Sequence, residues 1–227
     1  MTTETKQVRN LQSYKSNKLV NTSYSLTLNE RRLIELSIAL VDEECDIPDM
    51  IVVAAEQYGK VFNVGMKGVY RELSIATKNL YKQSIRIIDE IGVEDTRWVD
   101  RVKYLDGNGT VEISFSKWVK PYLKKLRNEY TYYGLLEIGR MTSSNTIRLY
   151  ELLMQFKKSG MLRKSLSDFR LLLGVGDKYP SFTELNRRII TPAIKQINKV
   201  TNYNVRLTVI KRGRSVATLE FAIIDKD

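Results

Sequence analysis

Apolar residues recur at helical spacing in some stretches and at alternate positions in others, and the two patterns follow one another in the same order twice. In the first half, Thr27 followed three residues on by Glu30 is a capping-box signature. It opens a helix to about Val41, with Leu33, Leu36, Ile38 and Leu40 apolar. Residues 50–54 form a short apolar strand, residues 56–62 a short helix, and, after a turn at 63–65, a longer helix is predicted over 66–85. Two strands follow at 98–105 and 110–116, joined by the turn residues Asp106, Gly107, Asn108 and Gly109. Val111, Ile113 and Phe115 alternate with Glu112 and Ser114, as a half-buried strand requires.

The second half repeats the plan. Ser143, Ser144 and Asn145 cap a helix that reaches about Lys158 and stops at Gly160. Residues 161–165 are extended, 166–173 form a short helix ending at Gly174, and a long helix is predicted over 182–200, kinked or restarted at Pro192. A closing hairpin at 203–210 and 215–224 turns around Lys211, Arg212, Gly213 and Arg214. Helix, short strand, helix, helix and two-stranded ribbon is the order of a winged helix, a helix-turn-helix variant with a β-hairpin wing. The expected fold is α+β, with two tandem winged-helix domains. The boundary is placed near Tyr130, between a helix at 118–127 and a strand at 132–138, giving domains 1–130 and 131–227.

Charge adds direction to this plan. The net charge of +11 is uneven: residues 131–227 hold 17 Lys and Arg against 8 Asp and Glu, whereas the first 130 residues hold 20 against 18. A basic half attracts polyanions by neutralising phosphates and releasing their counterions. Histidine is absent, which excludes Ser–His–Asp and Cys–His activation and paired-histidine metal sites for DNA nicking. No phosphate-binding G-x-x-x-x-G-K-[ST] loop occurs. The single cysteine, Cys45 among Asp42, Glu43, Glu44 and Asp46, forms no intramolecular disulfide and reads as structurally idle. Residues 1–10 are polar, without an apolar signal segment, and no apolar run is long enough to span a membrane. The expectation is a cytoplasmic DNA-binding protein with no membrane partner, no cofactor, no metal and no catalytic activity.

Helical geometry selects the side chains that face outward. In the first long helix Val69, Leu73, Ala76 and Leu80 form the core stripe, and Lys67, Arg71, Ser74, Lys78 and Lys82 gather on the other side without an acidic residue. A solvated helix face ordinarily mixes charge signs, so one-sign charge points to a polyanion. In the second, Leu185, Ile189, Ala193 and Ile197 face inward, flanked by Ile190 and Ile194. Arg187, Arg188, Thr191, Lys195, Asn198 and Lys199 face outward, with Glu184 alone opposing them. Arginine pairs in bidentate fashion with guanine and asparagine with adenine, so this face has readout chemistry as well as charge. Asn186 falls on the apolar side by the same arithmetic. Lys211, Arg212 and Arg214 put three cations on the hairpin tip, suited to phosphates or a minor groove. Tyr130, Tyr132 and Tyr133 read as strand and core residues.

The run from Arg148 to Leu153, the run from Ser181 to Asn198, and the run from Val209 to Ser215 together resemble the initiator Rep proteins of iteron-containing plasmids. In the first half the stretch from Gln57 to Val64 leading into Val69–Leu73 resembles the same family. The resemblance implies a replication initiator whose monomers bind direct repeats at an origin, open adjacent AT-rich DNA and help load the host helicase. It implies a homodimer, joined through the N-terminal domain, that represses its own gene, and contacts with the host initiator and replicative helicase. Two different recognition faces in tandem further predict a repeat unit of about 20 bp without two-fold symmetry. The other readings are a winged-helix transcription regulator without an origin role and a histidine-free nuclease or recombinase using carboxylates or the tyrosines.

Overall fold

The computed structural model describes residues 11–42, 45–88, 92–105, 107–123 and 130–226. The expectations for residues 1–10, Glu43, Glu44, Asp106 and the latter part of the 118–127 helix lie outside these described residues. The chain divides into two compact units, Met1–Leu19 with Leu26–Arg140 and Val20–Ser25 with Met141–Asp227.

Unit one begins with β1 (Gln12–Ser16) and the single turn α1 (Asn17–Val20), then α2 (Leu28–Leu40). The capping box is present: Glu30 N–H donates to Thr27 Oγ1 at 3.4 Å and Thr27 N–H donates to Glu30 Oε2 at 2.8 Å. Such a cap contributes about 0.5–2 kcal/mol. There follow β2 (Ile51–Ala54), α3 (Ala55–Phe62), α4 (Val69–Leu80), β3 (Ser84–Ile88), β4 (Val93–Arg97), β5 (Val99–Leu105) and β6 (Thr110–Phe115). After a 3-10 turn at Lys120–Tyr122 come β7 (Tyr130–Gly134) and α5 (Leu135–Gly139). The strands form a β2-β6-β5 sheet, the β3-β4 hairpin and the β1-β7 pair, all antiparallel. Leu33, Leu36, Val53, Tyr58, Leu73, Leu80, Trp98, Val111, Ile113 and Phe115 are buried and form the core under α4.

Three differences from the sequence-based expectation have physical causes. Helix α4 ends at Leu80 rather than continuing to Ile85. No Gly or Pro marks that stop, but Ile85 and Ile87 are buried while Ser84 and Arg86 are exposed, the period of a strand. Arg86 then meets Asp95 across the β3-β4 pair with two hydrogen bonds of 2.8 Å, and holds that carboxyl below the usual carboxylate range. Strand β7 gives way to α5 at Leu135 instead of running to Ile138, and it pairs with β1, more than a hundred residues earlier. That pairing draws residues 130–140 into unit one, so the division falls between Arg140 and Met141, beyond the Tyr130 position expected from sequence.

Unit two contains α6 (Ser144–Met154), β8 (Met161–Ser165), α7 (Leu166–Leu173), α8 (Phe182–Leu185), a π-helical turn (Asn186–Ile190), α9 (Thr191–Val200), β9 (Tyr203–Arg212) and β10 (Ser215–Asp225). Its sheet has the order β8-β10-β9. Tyr150, Leu153, Leu162, Leu185, Ile190, Ala193, Ile197 and Leu219 are buried, and Phe169 stacks on Phe221 at 5.1 Å. The Val20–Ser25 strap belongs to this unit. Gly174, with φ of 67°, lies under it, and a Cβ there would stand 2.5 Å from the Tyr24 carbonyl oxygen, so both backbone shape and space require glycine.

Candidate nucleic-acid interface

In unit two the basic helical segment 182–200 is built around a register change. Thr191 N–H bonds the carbonyl of Asn186, five residues back, and Leu185, Ile190 and Thr191 all keep right-handed helical backbone. The segment is therefore one rod with a π turn, neither kinked nor restarted at Pro192. A proline lacks its N–H and crowds the carbonyl four residues earlier; a wider turn just before it places both defects where the ladder is already opened. The π turn also explains Asn186. Arithmetic at 100° per residue fails across it, and Asn186 is half-buried, its Oδ1 accepting from Thr191 Oγ1 at 3.2 Å.

The outward face carries Arg187, Arg188, Thr191, Lys195 and Lys199, all exposed, over a buried stripe of Leu185, Ile189, Ile190, Ala193 and Ile197. Glu184 lies 3.7 Å from the Arg188 Nε, an exposed i,i+4 pair that orients the guanidinium and contributes a few tenths of a kcal/mol. Asn198 has a different role from the base reader expected. Its Nδ2 donates to Asn204 Oδ1 at 3.1 Å and to the Val205 carbonyl at 3.0 Å, and its Oδ1 accepts from Val205 N–H at 2.7 Å. Both ends of the amide are committed to the first residues of β9, so Asn198 fastens the wing to the helix. Lys226 adds to this junction by donating to the Thr201 carbonyl at 2.8 Å and to the Asn198 carbonyl.

The wing is long. Strands β9 and β10 pair from Tyr203↔Asp225 out to Arg212↔Ser215, leaving Gly213 and Arg214 as the two-residue tip. Gly213 has φ of 63° and Arg214 a negative φ, the arrangement of a hairpin turn with glycine at its first central position. Lys211, Arg212 and Arg214 are all exposed there. Three cations stand on a ribbon whose base is tied to α9 through Asn198.

Unit one presents a second face. Arg71 and Lys78 project from α4, with Lys67 just before the helix and Lys82 just after it, and all four are exposed. Ser74 lines the same concavity as Arg71, Lys78 and Lys82, with its Oγ enclosed and making no hydrogen bond with the protein. Ile75, one residue on, is 50% exposed on the cationic side. Between α4 and β5 lies a concavity of about 810 Å³ in which Arg71, Lys78 and Lys82 meet Ile75, Tyr70, Tyr81, Val102 and Tyr104. Burial, with Tyr70 beside it, pushes the Tyr104 phenol above its ordinary range. Tyr104 and Val102 come from a strand distant in sequence, so nothing in the helix pattern announces them. Ile75 was legible in principle, since it falls at i+4 from Arg71 and i−3 from Lys78.

The tyrosines expected to be strand and core residues lie on β7. Tyr133 is buried and its hydroxyl donates to the buried Glu35 Oε2 at 3.1 Å, while Tyr130 and Tyr132 pack on Tyr14 of β1 at 5.9 Å. Cys45 is exposed and free. No helix among the described residues is long and apolar enough to cross a membrane.

Comparison with known proteins agrees with this architecture. Residues 12–154 match the family described as Initiator Replication protein, WH1, and residues 165–223 match Initiator Rep protein, WH2. A replication initiation protein of Escherichia coli is 28% identical over 92% of this chain and 68% of its own length. The PI protein of Escherichia coli is 24% identical, over 93% of this chain and 82% of its own length. Among solved structures, the crystal structure of Pi initiator protein in complex with iteron DNA superposes with a TM-score of 0.83 at 22% identity, covering 96% of this chain and 99% of that one. That likeness establishes the fold: two winged-helix units in one α+β chain.

Proposed function

From the premise that the chain belongs to the initiator replication protein family, we propose that it binds directly repeated origin sites in double-stranded DNA, of the iteron kind seen bound to its Pi relative. The observation that carries this reading is the pairing, within one unit, of an acid-poor helix face with a cationic hairpin tip. Arg187, Arg188, Thr191 and Lys195 enter the major groove, where arginine reads guanine O6 and N7. Lys211, Arg212 and Arg214 grip phosphates or the minor groove to one side and set the register. Asn198 keeps the wing at a fixed position relative to the helix. Arg71, Lys78 and Lys82, flanked by Lys67, make the corresponding contacts in unit one.

A monomer with two unlike recognition faces fits an asymmetric repeat of about 20 bp, two turns of duplex. The same protein acts as a homodimer through its N-terminal unit to repress its own gene, and meets the host initiator and replicative helicase once repeats are filled. It performs this work by binding, without cleaving DNA. Footprinting on DNA from beside its gene is the test. Protection of about 20 bp per monomer on head-to-tail repeats supports the reading. Protection of about 10 bp, or strict dependence on an inverted repeat and a dimer, would replace it with a simple regulator.

A further inference from the structure

The two recognition faces differ in one respect that charge does not explain. On the unit-two helix the exposed positions from Arg187 onward are Arg187, Arg188, Thr191, Pro192, Lys195 and Lys199, so the exposed apolar side chain there is a compact proline ring rather than a branched aliphatic chain. On α4 the corresponding stripe contains Ile75, half exposed, with Arg71 one turn before it and Lys78 one turn after it on the same face. Ile75 opens onto the concavity shared with Tyr104 and Val102 of β5. The hydroxyl next to it in sequence, Ser74 Oγ, is enclosed. Between Arg71 and Lys78 the Ile75 side chain therefore offers an incoming base edge apolar surface, with a cation on either side.

Base edges in the major groove are polar with one exception, the C5-methyl group of thymine. We propose that Ile75 is a specificity-determining residue that reads a thymine methyl, so that unit one recognises a T-bearing segment of the repeat while the arginines of unit two read a G-bearing one. This rests on the proposed binding of duplex repeats. Arg71 and Lys78 neutralise the phosphates that flank the contacted base, which holds the isoleucine side chain against the groove floor. The Tyr104 ring and Val102 close the side of the concavity, so the methyl group leaves water as it enters. Cytosine places an amino donor in that region, and an aliphatic side chain cannot satisfy it.

Replacing thymine with deoxyuridine removes the methyl group and leaves pairing and the hydrogen-bonding edge unchanged. One thymine at a time is replaced across the protected repeat, and the affinity of the full chain is measured at fixed salt. Wild type should lose affinity about three- to fivefold at one position in the unit-one half, the effect of one methyl group leaving an apolar contact. Ile75→Ala should lose a similar factor on thymine DNA and become indifferent to the replacement at that position, whereas Ile75→Val should retain part of the discrimination. Each variant's melting temperature is measured alongside, since an exposed side chain can be truncated without cost to folding. The inference is overturned if no deoxyuridine position in that half affects wild type, or if the effect persists undiminished in Ile75→Ala. An Ile75→Ala protein with unchanged affinity for every DNA would make the concavity a site for something other than a base. Failure of wild type to prefer repeat DNA over random duplex would instead overturn the proposed function itself.

Discussion

Arg148 on α6 donates through Nη2 to the carbonyl oxygen of Thr22 at 2.7 Å, joining residues 126 positions apart in the chain. The same guanidinium reaches the Val20 carbonyl at 2.8 Å, the Leu172 carbonyl at 2.8 Å, the Tyr24 hydroxyl at 3.1 Å and the Glu151 carboxylate at 2.9 Å. All five of its N–H donors are used and the side chain is fully buried. Glu151 neutralises its charge, and the carbonyls satisfy the rest of its planar fork. The strap Val20–Ser25 is thereby a structural part of unit two.

Arg148→Lys should destabilise the full chain by about 3–5 kcal/mol, because lysine keeps the charge but cannot satisfy a five-acceptor cage and strands buried carbonyls. Urea unfolding monitored by circular dichroism gives this value. A loss below about 1 kcal/mol would mean that the strap is not held by this residue.

Asn198→Ala should cost about 1–3 kcal/mol by leaving the Val205 N–H and its partners unsatisfied. Its effect on DNA binding should be the same for cognate and random duplex, since it loosens the wing and removes no base contact. A loss confined to one base pair of the cognate site would restore Asn198 as a reader.

Arg187→Ala should cost about 1–3 kcal/mol on the cognate repeat and relax preference at one base pair. Truncating Lys211 or Arg212 should weaken all sequences alike and flatten the salt dependence. Titrations of a panel of single-base variants, at several salt concentrations, separate the two behaviours. Equal, sequence-independent losses at Arg187, Lys211 and Arg212 would show that the helix positions but does not read.

Binding should weaken by roughly three to five decades between 50 and 200 mM salt, as for a protein engaging about 6–10 phosphates. It should change little with pH between about 6 and 8 at constant ionic strength. The chain has no histidine, the side chain whose charge ordinarily changes in that range. A steep change near neutrality would point to a titrating group outside the two faces described.

Sequence by itself determined the elements and their repeated order, because each depends on local periodicity and local chemistry. Thr27 with Glu30 marked the start of α2, the run at 166–173 bounded α7, and the glycine-bearing turn shaped the wing. The basic faces of α4 and of the 182–200 segment were legible for the same reason: a helix places every third and fourth residue together whatever surrounds it. The tertiary structure decided what depends on distant partners. It paired β1 with β7, moved the unit boundary past α5, and assigned Val20–Ser25 to the far unit through Arg148. It committed both ends of the Asn198 amide to the start of β9, enclosed the Ser74 Oγ, and put Ile75 and Tyr104 in one concavity. The π turn before Pro192 belongs to the same class. One-dimensional arithmetic assumes a regular helix, and only packing around Ile189 and Ile190, both buried, reveals where the helix departs from it.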